Sequence, residues 1–287
     1  MITLKIKISA DSTCDLSQDL IEKYGIGITP LYIVKDGKAL RDGVEITPED
    51  IYESAESGAE PCSTAAVSVA DYIDYFTETL KEYDAVVHFH ISSDMSACYQ
   101  NAVIASREVG NVYPVDSRSL STGIGQLVLD AAIMARSGAQ PLEISDAMTA
   151  KREKLDVSFV VDTLAYLRRG GRCSALAAIG ANLLSLKPCI EVRGGVMGVG
   201  KKYRGSLEKC ILQYVRERLE GRDDIDTHRI FITDSGHLSD DLRERVKAEI
   251  LKYQPFEEIY MTRAGCTVSS HCGPGTIGVL FIRKANA

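Results

Sequence analysis

The chain has few of the features that mark secreted or membrane proteins. It contains no tryptophan, and aromatic residues make up only 7% of its 287 positions. No stretch approaches the ~18 uncharged apolar residues that a membrane helix needs. The segment Met1–Lys7 has neither the long apolar core nor the cleavage site of a signal peptide. These absences lead us to expect a cytoplasmic protein.

Positive charge is also in short supply. The formal net charge is -7 and the isoelectric point is about 5.4. Nucleic-acid binding depends on neutralising phosphates, so we expect no nucleic-acid partner. The same balance argues against strong electrostatic attachment to anionic membranes and leaves at most a transient contact with a membrane surface.

The eight cysteines form no C-x-x-C pair. Cys266 and Cys272, with His271 between them, make only a weak zinc pattern, and reduced structural thiols are the favoured interpretation. His88 and His90 share one face of a predicted strand and could be two metal ligands, but buried structural imidazoles are favoured there. We therefore expect no metal and no cofactor.

Common catalytic motifs are missing too. The chain has no G-x-S-x-G, H-E-x-x-H or G-x-G-x-x-G motif after a strand, and the basic loop 168–172 lacks the pattern of a P-loop. The sequence offers no recognisable pair of catalytic nucleophile and general base, so a binding protein is favoured over an enzyme. The alternative is an acyl hydrolase or transferase that uses Cys98, Cys272 or a serine of the second polar turn described below.

The order of apolar and polar segments predicts an α/β fold with two domains, 1–152 and 153–287. Strands alternate with helices in the first domain, which indicates a doubly wound, mostly parallel sheet. The second domain is predicted to be a mixed-sheet α/β unit. The predicted strands are 6–10, 26–34, 85–91, 111–116, 157–162, 189–192, 196–199, 229–233, 258–262 and 278–283. The predicted helices are 16–24, one beginning at 47, 68–82, 96–109, 121–136, 164–168, 175–184, 206–219 and 238–253.

Three polar turns stand out: 11–16, 92–96 and 267–275. The first two follow strand-like runs, at the place where open α/β sheets bind ligands beside helix N-termini. Hydroxyl groups and one histidine, without a cluster of cations, suit a single carboxylate better than a phosphate. Helix capping is an equally good explanation for either of the first two turns taken alone.

These turns carry a resemblance to a known family. Asp11-Ser12-Thr13-Cys14-Asp15-Leu16, Ile91-Ser92-Ser93, Val115-Asp116-Ser117, Gly170-Gly171-Arg172, Lys187-Pro188 and His271-Cys272-Gly273-Pro274-Gly275 resemble, in this order, motifs of the DegV family. Its bacterial members include the fatty-acid-binding subunits of fatty-acid kinase, which function in phospholipid metabolism.

The resemblance implies that a long-chain fatty acid is buried in a tunnel and that its carboxylate is presented to a separate kinase. The positions that match the carboxylate-binding residues are Ser63 or Thr64, then Ser93 and His271. Residues implied to lie close to the ligand are Asp11, Ser12, Thr13, Ser92, Ser96, Arg172 and Gly273. Arg204 matches a position on the surface that docks the partner, although the basic run that usually follows it is absent here.

Physical chemistry is compatible with a lipid ligand. Burial contributes ~0.8 kcal/mol per CH2, or roughly 12 kcal/mol for a chain of about 16 carbons before the costs of binding. The apolar segments 125–135 and 175–186 are candidates to line the tunnel, and simple core packing is nearly as good an explanation for both.

Overall fold

A computed structural model describes residues 4–58, 60–172 and 186–284. Its strands are β1 (Ile6–Asp11), β2 (Gly27–Thr29), β3 (Tyr32–Lys35), β4 (Lys38–Arg41), β5 (Ser63–Ala65), β6 (Ala85–His90), β7 (Val112–Asp116), β8 (Leu155–Val160), β9 (Leu186–Arg193), β10 (Val196–Arg204), β11 (Ile225–Asp234), β12 (Glu258–Arg263) and β13 (Ile277–Arg283). Its helices are α1 (Gln18–Tyr24), α2 (Pro48–Glu56), α3 (Val69–Thr79), α4 (Cys98–Val109), α5 (Thr122–Arg136), α6 (Pro141–Lys151), α7 (Ala165–Gly170), α8 (Leu207–Leu219), α9 (Asp240–Tyr253) and α10 (Cys266–Cys272).

The strands form three sheets. The N-terminal part has a parallel sheet in the order β2-β1-β6-β7 and a small antiparallel sheet, β4-β3-β5. The C-terminal part has a six-stranded mixed sheet in the order β10-β9-β8-β13-β11-β12, in which only β11 and β12 run parallel. This arrangement confirms the predicted α/β class, with a parallel sheet first and a mixed sheet second.

One predicted strand, 26–34, is divided. Residues 27–29 join the parallel sheet as β2, whereas residues 32–35 join the antiparallel sheet as β3. Pro30 lies between them and cannot donate a backbone hydrogen bond, so the chain leaves one sheet there and enters another.

Helix α5 packs between the parallel and the mixed sheet. Ten of its fifteen residues are buried, and Gln126 donates to the carbonyl oxygens of Arg229 and Leu280 at 3.3 and 3.2 Å. A helix that is apolar on all sides is typical of this buried position. For 125–135 the structure shows the core packing that was the alternative explanation, and none of these residues lines the two cavities described below. The other candidate, 175–186, lies outside the described residues except for Leu186.

The two histidines of β6 belong to the core. His88 lies 2.7 Å from Ser9 Oγ and 3.1 Å from Thr29 Oγ1, and His90 Nδ1 lies 3.2 Å from Tyr72 Oη. Burial lowers the pKa of His88 to about 3, so its ring is neutral. These contacts are those of structural imidazoles. No helix in the described part of the chain is long and apolar enough to cross a membrane.

Candidate functional site

The third polar turn of the sequence is largely a short helix, α10. The predicted turn from Thr267 is wrong because residues 266–272 are helical, and the chain turns only at Gly273, where φ is 75°. A side chain at Gly273 would also overlap the ring of Tyr166. Glycine is thus required at the end of the helix for both its backbone angle and its lack of a side chain.

Two buried carboxylates from the N-terminal part hold the beginning of α10. Asp42 Oδ1 accepts from Cys266 N at 2.8 Å, and Asp42 Oδ2 accepts from Thr267 N at 3.0 Å. Asp15 Oδ1 accepts from Gly265 N at 2.8 Å. These bonds satisfy free N–H groups of the helix and fix α10 against residues more than 220 positions away in sequence.

The same carboxylates belong to a buried acidic region. Burial raises the pKa of Asp15 to about 8, although hydrogen bonds from Ser121 and Gly265 oppose the shift. Burial also raises the pKa of Asp11 to about 6. Each of these carboxylates has hydrogen-bond donors within the protein, as expected of buried acids.

The helix presents Thr267 and His271 to a cavity. The two residues are four positions apart and therefore lie on one face of α10, one turn from each other. His271 Nε2 is 2.9 Å from Thr64 Oγ1, which projects from β5. This contact joins residues 207 positions apart and is the centre of the candidate site.

The imidazole of His271 is neutral near pH 7. Burial, together with the positive charge of Arg172, lowers the pKa of His271 to about 4. A neutral ring has one donor and one acceptor nitrogen, so Thr64 either donates to Nε2 or accepts from it. Nδ1 is buried against Gly170 and has no hydrogen-bond partner among the described residues.

The Thr64–His271 pair lies at a cavity of about 270 Å³. Most of the cavity wall is apolar, and Arg172 is its only fully charged residue in the described part of the chain. The lining residues are Leu31, Thr64, Ala65, Ala66, Ile91, Met95, Ser96, Ala97, Leu120, Arg172, Met197, Thr267, Val268, His271 and Cys272. An apolar cavity with a few polar groups at one place suits a long apolar molecule with a polar end.

A second cavity, of about 320 Å³, adjoins the first and shares Thr64, Arg172 and His271 with it. Ser63 and Arg169 also line it. Of the two hydroxyl residues of β5, Thr64 therefore lines both cavities, whereas Ser63 lines only the second.

The structure brings some of the predicted site residues together. Thr64, Ser96, Arg172 and His271 line the first cavity, and Ser63 lines the second. Their roles in holding a ligand stay predictions.

The structure places Ser93 outside both sets of lining residues. Its Oγ donates to Asp116 Oδ2 at 2.7 Å, and Arg118 Nη1 donates to Ser93 Oγ at 3.3 Å. The neighbouring Ser92 Oγ donates to the carbonyl of Gly195 at 2.7 Å. Ser93 thus connects the loop after β6 to the end of β7 and the loop that follows it, and Ser92 connects it to the β9–β10 turn.

The first polar turn has a similar arrangement. Asp11 is fully buried and accepts from Ile91 N at 2.9 Å and from Thr13. Ser12 Oγ donates to Asp42 Oδ2 at 3.0 Å and accepts from Leu31 N at 3.1 Å. These residues act on the cavity indirectly, because they position Ile91, Leu31 and the carboxylate that holds α10.

Gly273 and Arg204 do not line the first cavity. Gly273 ends α10 two residues after His271, and Arg204 is the exposed last residue of β10.

Sequence reasoning missed Thr267 as a site residue. Its Oγ1 is buried without a hydrogen-bond partner among the described residues, and the residue lines the cavity. The i, i+4 spacing of Thr267 and His271 could have indicated that both lie on one face, but only if the segment had been predicted to be a helix. Within residues 4–58, 60–172 and 186–284, no three His, Cys, Asp or Glu side chains are grouped so that they could hold a metal ion.

Comparison with known proteins assigns the family. The model of a family described as "Uncharacterised protein, DegV family" matches residues 5–284. The chain belongs to the DegV family. A DegV domain-containing protein of Caldanaerobacter subterraneus subsp. tengcongensis is 34% identical over 98% of this chain and 99% of that protein.

Solved structures of DegV proteins resemble the whole chain. A DegV family protein of Thermus thermophilus, described by its fatty acid binding, has a TM-score of 0.87 at 33% identity and covers 98% of this chain and 100% of its own. A DegV lipid binding protein of Thermotoga maritima has a TM-score of 0.85 at 28% identity with the same coverage. A stearic acid-binding protein of Eubacterium ventriosum has a TM-score of 0.83 at 26% identity and covers 97% of this chain and 98% of its own. The predicted family resemblance is therefore confirmed.

Proposed function

We propose that this DegV protein binds a long-chain fatty acid with its acyl chain in the apolar cavity and its carboxylate at Thr64 and His271. The observation that carries the proposal is the Thr64–His271 hydrogen bond of 2.9 Å at a cavity whose other walls are mostly apolar. The fatty-acid and lipid ligands named for the related proteins support the choice of ligand.

The chemistry of the site suits one carboxylate. The Thr64 hydroxyl can donate to a carboxylate oxygen while it accepts from Nε2–H of the neutral His271. Arg172 is the nearby cation that would balance the ligand's charge, and the unpartnered Thr267 Oγ1 is a further donor. Ser63 and Ser93 remain proposed participants, as the family resemblance implies.

The bound acid would be a substrate for another protein. We propose that a separate kinase phosphorylates the carboxylate, that the exposed Arg204 contributes to docking it, and that this chain performs no catalysis itself. The second cavity, which adjoins the Thr64–His271 pair and contains Arg169 and Arg172, is large enough to admit a phosphate group beside the carboxylate.

The alternative function, an acyl hydrolase or transferase, is less well supported. Cys98 is fully buried, and burial raises the pKa of its thiol to about 11, so it is a poor nucleophile near neutral pH. Cys272 lines the cavity and is the residue to replace in a test for turnover of acyl esters.

The test begins with native mass spectrometry of the purified protein and solvent extraction of any bound lipid. Titration of the delipidated protein with palmitate then compares Thr64→Val with Thr64→Ser. The Val variant keeps the shape but loses the hydroxyl, so we expect about tenfold weaker binding, the effect of one hydrogen bond to a charged group. The Ser variant keeps the hydroxyl and should bind nearly as the wild type does. Equal affinities for all three proteins would contradict the proposed carboxylate site.

A further inference from the structure

A third, strongly polar cavity lies where the two parts of the chain meet. It has a volume of about 510 Å³ and shares no lining residue with the cavity beside His271. Its walls come from the loop after β7, the turn before β8, the β9–β10 hairpin, α8 and the end of β13. Arginine is its most frequent lining residue: Arg118, Arg152, Arg193, Arg218, Arg222 and Arg283.

Most of these arginines are neutralised within the protein. Arg218 pairs with Asp156 and with Glu191, the latter at 3.1 Å. Arg222 pairs with Asp156 at 2.9 Å and with Asp224. These ion pairs leave little positive charge for a ligand, because each of these arginines already has carboxylate partners.

Two arginines are different. Arg283 donates to the carbonyl oxygen of Glu153 at 2.8 Å and forms no ion pair within the described residues, although its charge helps to lower the pKa of the nearby Asp224. Arg152 donates to the carbonyl oxygen of Asp116 at 2.7 Å. Its only ion pair in those residues is with the neighbouring Glu153, at 3.3 Å, whose side chain is 68% exposed. Neutral carbonyl partners orient a guanidinium group but do not cancel its charge.

The fixed geometry favours an anion of two or more charges. Guanidinium groups bind phosphate through paired N–H donors. Here Arg152 and Arg283 each donate one hydrogen bond to a backbone carbonyl oxygen, which fixes the orientation of the guanidinium group. No aromatic side chain lines the cavity, so a stacked nucleobase has no platform. Six arginines and four carboxylates line the cavity, so its lining has a small excess of positive charge, whereas the whole chain has a net charge of -7.

We propose that this cavity binds a small phosphate-bearing anion through Arg152 and Arg283. Arg118 also lines the cavity and donates to Ser93 Oγ at 3.3 Å. The anion is either a free phosphate compound or the headgroup of a phospholipid.

Calorimetric titration with inorganic pyrophosphate tests the soluble source. We expect Arg283→Gln and Arg152→Gln each to weaken binding about tenfold, the effect of losing one charge-assisted hydrogen bond. Arg283→Lys keeps the charge without the paired donors and should fall between the wild type and Arg283→Gln. Added salt should weaken binding to the wild type, because the site is open to solvent.

The matched control is Arg245→Gln. Arg245 is part-exposed, pairs with Glu208 and Asp241, and does not line the cavity. The Arg245→Gln variant should bind pyrophosphate with the affinity of the wild type. Thermal unfolding of each variant, followed by circular dichroism, identifies any loss that comes from misfolding rather than from the missing guanidinium.

Vesicles of phosphatidylcholine with or without phosphatidic acid test the lipid source. Binding only to vesicles that contain phosphatidic acid, lost in Arg152→Gln and Arg283→Gln, would support the site with a lipid headgroup as its ligand. The proposal is overturned if the wild type binds neither pyrophosphate nor these vesicles, or if Arg245→Gln weakens binding as much as the cavity variants do. Because the assay uses no fatty acid, its result is independent of the proposed function.

Discussion

Replacing Asp42 with asparagine tests how the structure holds the helix that carries His271. Asp42 is 4% exposed, and its two oxygens accept from the backbone N–H groups of Cys266 and Thr267 and from the hydroxyl of Ser12. Asparagine has the same shape but only one acceptor oxygen. Its amide nitrogen must therefore face one of the two helix N–H groups, donor against donor.

The magnitude follows from these contacts. One buried N–H group loses its partner, which costs about 1–3 kcal/mol. The remaining bond changes from charge-assisted to neutral, and the negative charge at the helix N-terminus disappears, which together cost about 1 kcal/mol more. We expect Asp42→Asn to lower the free energy of unfolding by about 2–4 kcal/mol. Palmitate should also bind more weakly, because α10 positions Thr267 and His271 at the cavity.

Urea unfolding followed by circular dichroism measures the change. Asp50→Asn is the control, since Asp50 caps the exposed start of α2 through bonds to Thr47 and makes no hydrogen bond to α10 in the described part of the chain. Asp50→Asn should lower the free energy of unfolding by about 1 kcal/mol or less. The reasoning fails if Asp42→Asn unfolds within about 0.5 kcal/mol of the wild type, which is the effect of an ordinary surface substitution.

Three further predictions concern the cavity and the loops around it. The pKa of His271 is about 4 in the folded protein and near 6.5 when unfolded, so between pH 7 and 4 only the unfolded state gains a proton. The contribution of His271 to the free energy of unfolding should therefore fall by up to about 3 kcal/mol as the pH is lowered over that range. The free energy of unfolding of His271→Gln should fall less over the same range. Leu120→Ala removes a buried lining side chain and should cost about 2–4 kcal/mol in urea unfolding, while the enlarged cavity should favour longer acyl chains in competition binding; an unchanged chain preference would place the acyl chain elsewhere. Ser93→Ala removes the bond to Asp116 and should cost about 1 kcal/mol, with a smaller loss of palmitate affinity than Thr64→Val; a larger loss would mean that Ser93 contacts the carboxylate directly.

Local sequence signals were sufficient for most of the fold. Alternating strand and helix patterns predicted the parallel sheet and the later mixed sheet, because periodicity and capping residues act over a few neighbouring positions. They failed where the surroundings decide. The segment 26–34 divides between two sheets, and 269–272 forms a helix whose first N–H groups are held by Asp15 and Asp42.

The sequence by itself determined the residue types of the candidate site: hydroxyl groups, one histidine and little positive charge. The tertiary structure alone decided which of them meet. Thr64 and His271 are 207 positions apart and come together only when β5 and α10 pack side by side, whereas Ser93, with an equally suggestive motif, is bound to Asp116. The polar cavity of Arg152 and Arg283 has the same origin, since its charges come from segments that no local pattern connects. Short-range preferences fix the elements, but a binding site depends on contacts between elements, and those exist only in the packed chain.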